Sequence, residues 1–122
     1  MADDYSLFRR YGNNRAFATQ LDFTTATETT ELVAARSASW TIYVQRIIVW
    51  IKTDAAQSLT FQDDAGTPVV IAKVPASPGA DTRRDFDFGP RGVALTEGKN
   101  LDAAFSAAGL AGHLEVIGYH KE

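Results

Sequence analysis

Short runs of alternating apolar and polar residues, separated by turn-forming residues, recur along most of this chain and point to an all-β fold. The run from Phe17 to Phe23 alternates in this way, and a period of two places one set of side chains on the buried face of a strand. Runs of this kind between Gly, Pro, Asp, Asn or Ser predict a sandwich or barrel of short strands. The further predicted strands cover residues 30–35, 40–53, 58–62, 69–74, 82–88, 93–95, 101–106 and 112–120.

The longest of these runs, residues 40–53, changes parity in its middle. Val44 is the last apolar residue of one alternating set, and Ile47 is the first of the next. A change of parity within one strand requires an extra residue. The sequence therefore predicts a β-bulge, or a corner of the sheet, at Gln45 and Arg46.

Beyond the predicted bulge, both faces of this strand are apolar. Ile48 and Trp50 lie on the face opposite the alternating set that begins at Ile47. A strand of a two-sheet sandwich has only one inward face, so a second apolar face needs cover. We therefore expect Ile48 and Trp50 to form a subunit interface, with ordinary packing inside the chain as the alternative.

The composition suits one globular domain without a covalent staple. The chain has 122 residues, of which 45% are hydrophobic and 22% charged, and a chain of this length buries roughly two-thirds of its unfolded surface. It has no Cys, which excludes a disulfide scaffold, a Cys-ligated zinc site and a Cys nucleophile. The net charge of −3 gives no overall attraction to nucleic acid or anionic lipid.

Neither a membrane span nor a secretory signal is expected. The apolar runs are shorter than the roughly twenty residues that a membrane-spanning helix requires. The first four residues, Met1 to Asp4, include two Asp, and no apolar core of a signal peptide follows them. We therefore expect synthesis in a cytoplasm.

The first fifteen residues differ from the rest of the chain. They mix aromatic and charged residues without periodicity, so we predict an N-terminal arm over residues 1–15 and a β-sandwich domain over residues 16–122. Large apolar side chains are unfavourable in solvent, so we expect the arm to lie on a neighbouring protein; a loose terminus is the alternative. The expected contact residues are Tyr5, Leu7, Phe8, Arg9, Arg10 and Tyr11.

Residues that usually carry chemistry are few. His113 and His120 have an odd separation, so a regular strand points them to opposite faces and they are not expected to share a metal. We expect both to be exposed or at the rim. Asp85 and Asp87 share one strand face, where two carboxylates can bind a cation or divide acid and base roles. The alternation around Phe86 fits the exposed face of an amphipathic strand equally well, and we favour that interpretation.

Motifs of known enzymes are also missing. The run from Asp63 to Gly66 is similar to a fragment of a calcium-binding loop, but it lacks the ligand spacing and the closing Glu, so we interpret it as a turn. The sequence contains neither a glycine-rich phosphate loop nor a nucleophile elbow. We therefore expect no enzyme activity, no cofactor and no metal site.

The predicted strands and turns follow one another along the chain in a defined order. A Thr-rich approach to a short apolar strand precedes a long strand, a Thr-Phe strand with a turn, a strand with a Pro/Gly turn, a Gly-x-x-Leu element and a Gly-started strand. These are residues 27–34, 42–50, 59–68, 86–95, 97–101 and 112–119. This order resembles that of small virion proteins of tailed bacteriophages, of the capsid decoration (cement) or head-fibre type.

The resemblance implies a jelly-roll-like, antiparallel β-sandwich that is often trimeric. On this basis we expect a virion structural protein at the capsid surface, a decoration protein that stabilises the head by bridging capsomers. It would be a homotrimer that binds the major capsid protein or another virion protein, and neither nucleic acid nor a membrane. The arm would contact the capsid, and Ile48 and Trp50 would form the trimer seam.

Two other functions are compatible with the same fold class. A receptor-binding or carbohydrate-binding module on a tail or fibre would use exposed aromatic residues beside hydrogen-bonding groups, here Trp40, Tyr43 and the strand over residues 83–87. An enzyme of the cupin type would need clustered His and carboxylate ligands. The two His of opposite parity do not supply that cluster.

Overall fold

A computed structural model describes residues 14–24, 29–53, 55–106 and 110–122, and within them the chain forms nine strands and no helix. All nine are the predicted strands, and their ends lie within two residues of the predicted ends. Strand β1 begins at Arg15, within the range assigned to the arm; residues 1–13 lie outside the described part. The strands are β1 (Arg15–Phe23), β2 (Thr30–Val33), β3 (Thr41–Thr53), β4 (Leu59–Asp63), β5 (Val70–Val74), β6 (Thr82–Asp87), β7 (Val93–Ala94), β8 (Leu101–Phe105) and β9 (Ala111–Lys121).

The strands form two antiparallel sheets that pack as a sandwich. Sheet I has the order β1-β9-β3-β6, with β7 also paired to β3, and sheet II has the order β2-β8-β4-β5. Four strands of each sheet, interleaved in this order along the chain, make the double Greek key of a jelly roll, and β7 is a short fifth strand of sheet I. The predicted all-β, antiparallel, jelly-roll-like sandwich is therefore confirmed.

The core lies between the sheets and is filled by the inward set of each strand. Phe61, at 0% exposure, is the largest of the fully buried side chains, and burying a side chain of this kind contributes about 1.5–3 kcal/mol relative to its exposed state. Sheet I supplies Phe23, Ile42, Val44, Ile47, Val49, Ile51, Leu114 and Val116, and sheet II supplies Leu59, Phe61, Val74, Leu101, Ala103 and Phe105.

The predicted bulge in β3 is present. The register between β3 and β9 shifts between Val44 and Arg46, so that Gln45 is the extra residue. The side-chain amide of Gln45 donates a hydrogen bond to the carbonyl of Pro90 at 2.6 Å. The bulge explains why the inward set changes parity from Val44 to Ile47.

Two glycines of β9 allow the backbone of β3 to come close at its register shifts. Gly118 pairs with Val44, beside the first shift, and Gly112 pairs with Ile51, beside the second. A Cβ atom at Gly118 would overlap the carbonyl oxygen of Tyr43 and approach the ring of Phe17. Only glycine therefore fits at this position.

The run from Asp63 to Gly66 forms a turn, as predicted. The carboxylate of Asp63 is fully buried. Its Oδ1 accepts the backbone N–H of Ala65 at 3.2 Å and of Val69 at 2.9 Å, and its Oδ2 accepts that of Thr96 at 2.8 Å. Burial acts to raise the pKa of Asp63, but the hydrogen bonds outweigh it and hold this pKa below its ordinary value. The carboxylate thus joins the turn after β4 to the loop after β7.

Candidate functional site

The outward-facing surface of sheet I contains both residues that were expected at a subunit interface. Because side chains alternate along a strand and register is shared across the sheet, the outward residues form four rows from β1 through β9 and β3 to β6 or β7. We call this surface the outer face. Its rows are Asp22–His113–Trp50–Arg83, Gln20–Glu115–Ile48–Asp85, Ala18–Ile117–Arg46–Asp87 and Ala16–Tyr119–Tyr43–Ala94.

Apolar side chains on the outer face differ widely in their exposure. Ile48 is only 8% exposed and does not belong to the core cluster between the sheets, so side chains of its own chain already cover it. Ile117, in the next row, is 42% exposed. The apolar surface that another molecule can reach is therefore centred on Ile117 rather than on Ile48.

A pair of stacked tyrosines lies at one end of the outer face. The rings of Tyr43 and Tyr119 are 5.0 Å apart with an interplanar angle of 3°, and the hydroxyl of Tyr119 donates to the carbonyl of Arg91 at 2.7 Å. Burial, with Tyr43 as a second cause, raises the pKa of Tyr119. The pair gives this end of the face a broad aromatic surface.

Charged residues on β3 and β6 flank Ile48. Arg46 donates to both carboxylate oxygens of Asp85, at 3.0 and 2.5 Å, and Arg83 lies 3.6 Å from the same carboxylate. The hydrogen bond from Arg46 lowers the pKa of Asp85. A bidentate pair fixes the orientation of both side chains. Asp85 and Asp87 thus belong to the exposed face of an amphipathic strand, as predicted.

The opposite end of the outer face carries an aromatic and basic cluster around Trp50. The Trp50 ring lies 5.5 Å from the His113 ring and 5.4 Å from the guanidinium carbon of Arg83. Nδ1 of His113 lies 2.6 Å from a carboxylate oxygen of Asp22. A cavity of about 350 Å³ adjoins Trp50, and its lining includes Lys52, Asp81, Thr82, Arg83 and His113. An aromatic ring beside several hydrogen-bonding groups is a typical lining for a polar ligand.

The residues proposed for sugar binding do not come together in the way that the sequence suggested. Trp40 precedes β3 and lies 4.9 and 6.0 Å from the guanidinium carbons of Arg36 and Arg15. Tyr43 and Arg83 lie in opposite end rows of the outer face. The aromatic residue beside Arg83 is Trp50 instead. Sequence parity placed it on this face, but only the register of β3 with β6 and β9 reveals its neighbours.

The two histidines lie on opposite faces of β9, as predicted, but the expectation that both would be exposed or at the rim is wrong for His120. His120 is 7% exposed, and its ring lies 5.3 Å from that of Phe17 on the neighbouring strand. Burial, and then the charge of Arg36, lowers the pKa of His120. His113 lies on the outer face, so the two side chains do not converge.

One further set of predicted residues lies outside the described part. The expected arm contacts, from Tyr5 to Tyr11, fall outside the described residues. Among the residues that are described, no group of three or more His, Cys, Asp and Glu side chains is arranged to hold a metal ion. In the same residues, no helix is long and apolar enough to span a membrane.

Comparison with known proteins finds similarity in three-dimensional structure alone. No family model and no curated protein matches the chain. A structure of Bacillus endospore appendages, described as disulfide-linked pili, shares 12% identity over 89% of both chains with a TM-score of 0.48. The Drosophila NLP core, studied for pentamer formation and histone binding, shares 12% identity over 88% of this chain and 98% of its own, with a TM-score of 0.46.

A virus-like particle is a third structural neighbour. The extra small virus of the giant freshwater prawn Macrobrachium rosenbergii shares 8% identity over 90% of this chain and 80% of its own, with a TM-score of 0.40. At such low identities, a shared fold does not specify a shared function.

Proposed function

We propose that this chain is a structural protein of a bacteriophage virion, a capsid decoration protein that bridges capsomers and works by binding rather than by catalysis. The observation that carries the proposal is the outer face of sheet I. That face points away from the core, yet it presents Ile117, the stacked pair of Tyr43 and Tyr119, and Trp50. Apolar and aromatic surface on an outward sheet face is typical of a protein interface.

In this proposal, three copies associate through the outer face. Interfaces favour aromatic residues and Arg, with polar groups around the rim, and the face combines both classes. Ile48 and Trp50 belong to the seam, but Ile48 has little exposed surface left to bury. Most of the apolar contact therefore comes from Ile117, the tyrosine pair and Trp50.

The N-terminal arm would supply the second contact. Its aromatic and basic residues, Tyr5 to Tyr11, would bind the major capsid protein or another virion protein at the capsid surface. This division of roles is supported by the position of β1. Strand β1 is an edge strand of sheet I. An arm that precedes β1 would therefore start next to the proposed trimer interface. The order of segments that resembles phage decoration proteins supports the same role.

The trimer is tested by measuring the solution mass with light scattering. We expect the full chain, and a variant without residues 1–14, to be trimers at micromolar concentration. Ile117→Asp should dissociate the trimer, because a carboxylate would be buried in an apolar contact. Val70→Asp is the matched control, since Val70 is an exposed apolar residue, 54% exposed, on sheet II. A monomeric full chain would refute the trimer.

The location is tested separately by immunogold labelling of intact virions from the phage that encodes the chain. Label spread over the head would support a decoration protein. Label confined to the tail or its fibres would refute the decoration role and favour the second candidate function. Absence of label from intact virions, together with label on free protein, would refute a virion role.

The second candidate function is a receptor-binding or carbohydrate-binding module on a tail or fibre. The cavity at Trp50 favours it, because an aromatic ring there adjoins Arg83, His113 and Asp81. Sugar rings stack on aromatic side chains while their hydroxyls bond to polar groups. On a glycan array, Trp50→Ala should abolish binding, and Trp40→Ala should leave it unchanged. If the wild-type protein binds no glycan on the array, this second candidate function is refuted.

A further inference from the structure

Three of the four sheet edges carry features that hinder pairing with another strand. Natural proteins protect open edges with short strands, bulges and charged side chains. Strand β2 has four residues and a register shift, and β5 has five residues, a register shift on its paired side and an exposed Lys73. At the far edge of sheet I, β7 has two residues and β6 carries four charged residues among six.

The fourth edge, β1, has none of these features. It is nine residues long and pairs with β9 over its whole length without a register shift. It contains neither Pro nor Lys, and its charged residues, Arg15 and Asp22, lie near its ends. Among the described residues, no strand pairs with its other side. Such an edge is a template for an added strand.

The inward side chains of β1 are also incompletely covered. Phe17 and Leu21 pack against the core but remain partly exposed, whereas Phe23, at the end of the strand, is 3% exposed. An adjacent strand would cover the open side of both residues. The edge therefore offers apolar surface as well as backbone hydrogen-bonding groups.

We propose that β1 pairs in antiparallel fashion with β1 of a second copy of this chain, around a twofold axis at Thr19. In this register Thr19 faces Thr19 of the partner subunit, and Phe17 faces Leu21 of the partner subunit. Aromatic–aliphatic and Thr–Thr cross-strand pairs are favourable. On the outward side, Ala18 faces Gln20 of the partner subunit, so no like charges meet there.

The neighbouring registers are less complementary. A twofold axis perpendicular to the sheet pairs inward residues only with inward residues, so it must pass through a residue and not between two residues. The nearest alternatives to Thr19 are therefore Ala18 and Gln20. With the axis at Ala18, Phe17 faces Thr19 of the partner subunit; with the axis at Gln20, Leu21 does so. Either shift breaks the Phe17–Leu21 pairs and shortens the ladder by two pairs; with the axis at Gln20, Phe17 instead faces Phe23 of the partner subunit.

This contact is independent of the proposed trimer, because it uses the edge of sheet I rather than its outer face. It is twofold, so in combination with a threefold contact it would join trimers to one another. A second copy is the occupant that the symmetric register favours over an unrelated strand, because β1 itself supplies both members of the Thr19–Thr19 and Phe17–Leu21 pairs; Arg15 faces Phe23 of the partner subunit only at the ends of the ladder.

The absence of Cys from the chain gives a direct test by disulfide crosslinking. Residues opposite each other in an antiparallel pair have Cα atoms about 4.5–5.5 Å apart, which suits a disulfide. Under mild oxidation, full-length Thr19→Cys should form a covalent dimer. Ala18→Cys and Gln20→Cys should each remain uncrosslinked alone but form a mixed dimer when combined, because these two positions face each other only across the twofold pair.

Products are read on non-reducing gels and by intact mass, with reduced samples as the baseline and thermal unfolding as the check that each variant folds. Thr19→Cys without a covalent dimer, or Ala18→Cys crosslinked alone to the same yield, would overturn the proposal. Ile117→Asp combined with Thr19→Cys separates the two contacts. The double variant should still form the Thr19→Cys crosslink although the trimer is lost. Loss of one interface can therefore be detected while the other remains.

Discussion

Asp63 offers a quantitative test of what holds the loops of the sandwich together. Its buried carboxylate accepts three backbone N–H groups, two through Oδ1 and that of Thr96 through Oδ2. Asp63→Ala leaves three donors without their acceptor. Since hydrogen bonds to a charged group contribute about 1.5–3 kcal/mol each, and partial solvation lowers the sum, we expect a loss of about 3–5 kcal/mol in the free energy of unfolding.

Asp63→Asn separates the two oxygens. Its Oδ1 can still accept from Ala65 and Val69, but its amide nitrogen meets the N–H of Thr96 donor to donor. We therefore expect roughly half the loss of the Ala variant. Asp64→Ala is the matched control, because Asp64 is exposed and its bonds to Asn100 are replaced by water, with a loss of about 1 kcal/mol or less.

The assay is chemical unfolding followed by tryptophan fluorescence, with thermal unfolding as a second measurement. For a chain of this length, each kcal/mol lowers Tm by about 3–5 °C, so Asp63→Ala should melt about 9–25 °C below wild type. Because the folded pKa of Asp63 is below its unfolded value, the contribution is present above about pH 4 and is lost as the pH falls further. Equal effects of Asp63→Ala and Asp64→Ala at pH 7 would refute this account.

Two further predictions concern β9. Gly118→Ala should lower the yield of folded protein and Tm sharply, because its Cβ overlaps the Tyr43 carbonyl. Lys121→Ala, at an exposed position of the same strand, should not. Circular dichroism melts distinguish the two, and equal melts would contradict the close-approach argument. Since the pKa of His120 is lowered in the folded state, the unfolded chain takes up this proton first and stability falls as the pH drops below about 6.5. His120→Phe should flatten that part of the Tm-against-pH curve, and an unchanged slope would contradict it.

The sequence predicts the strands because a period of two is a local property. The parity change between Val44 and Ile47 even locates the bulge in β3, since one extra residue must shift every following side chain to the other face. The same parity assigns Ile48 and Trp50 to the outward side. No partner strand needs to be known for any of these inferences.

The neighbours of those residues depend on register between distant strands, which local pattern does not encode. Trp50 meets His113 and Arg83 because β9 and β6 lie on either side of β3. Ile48 is covered by its own sheet, which parity alone cannot predict. His120 has the predicted parity but the wrong exposure, because its place near the end of β9 suggests a rim, whereas β1 covers it.

The place of β9 in sheet I has a consequence for the nascent chain. Of the described strands it is the last in order of synthesis, yet it lies between β1 and β3 and supplies the fully buried Leu114 and Val116. Ribosomes add about 5–20 residues per second. Several seconds therefore pass between the synthesis of β3 and that of β9, the strand that joins β3 to β1. Sheet I therefore closes only after the whole domain has been translated, and the apolar face of β3 needs protection from aggregation until then.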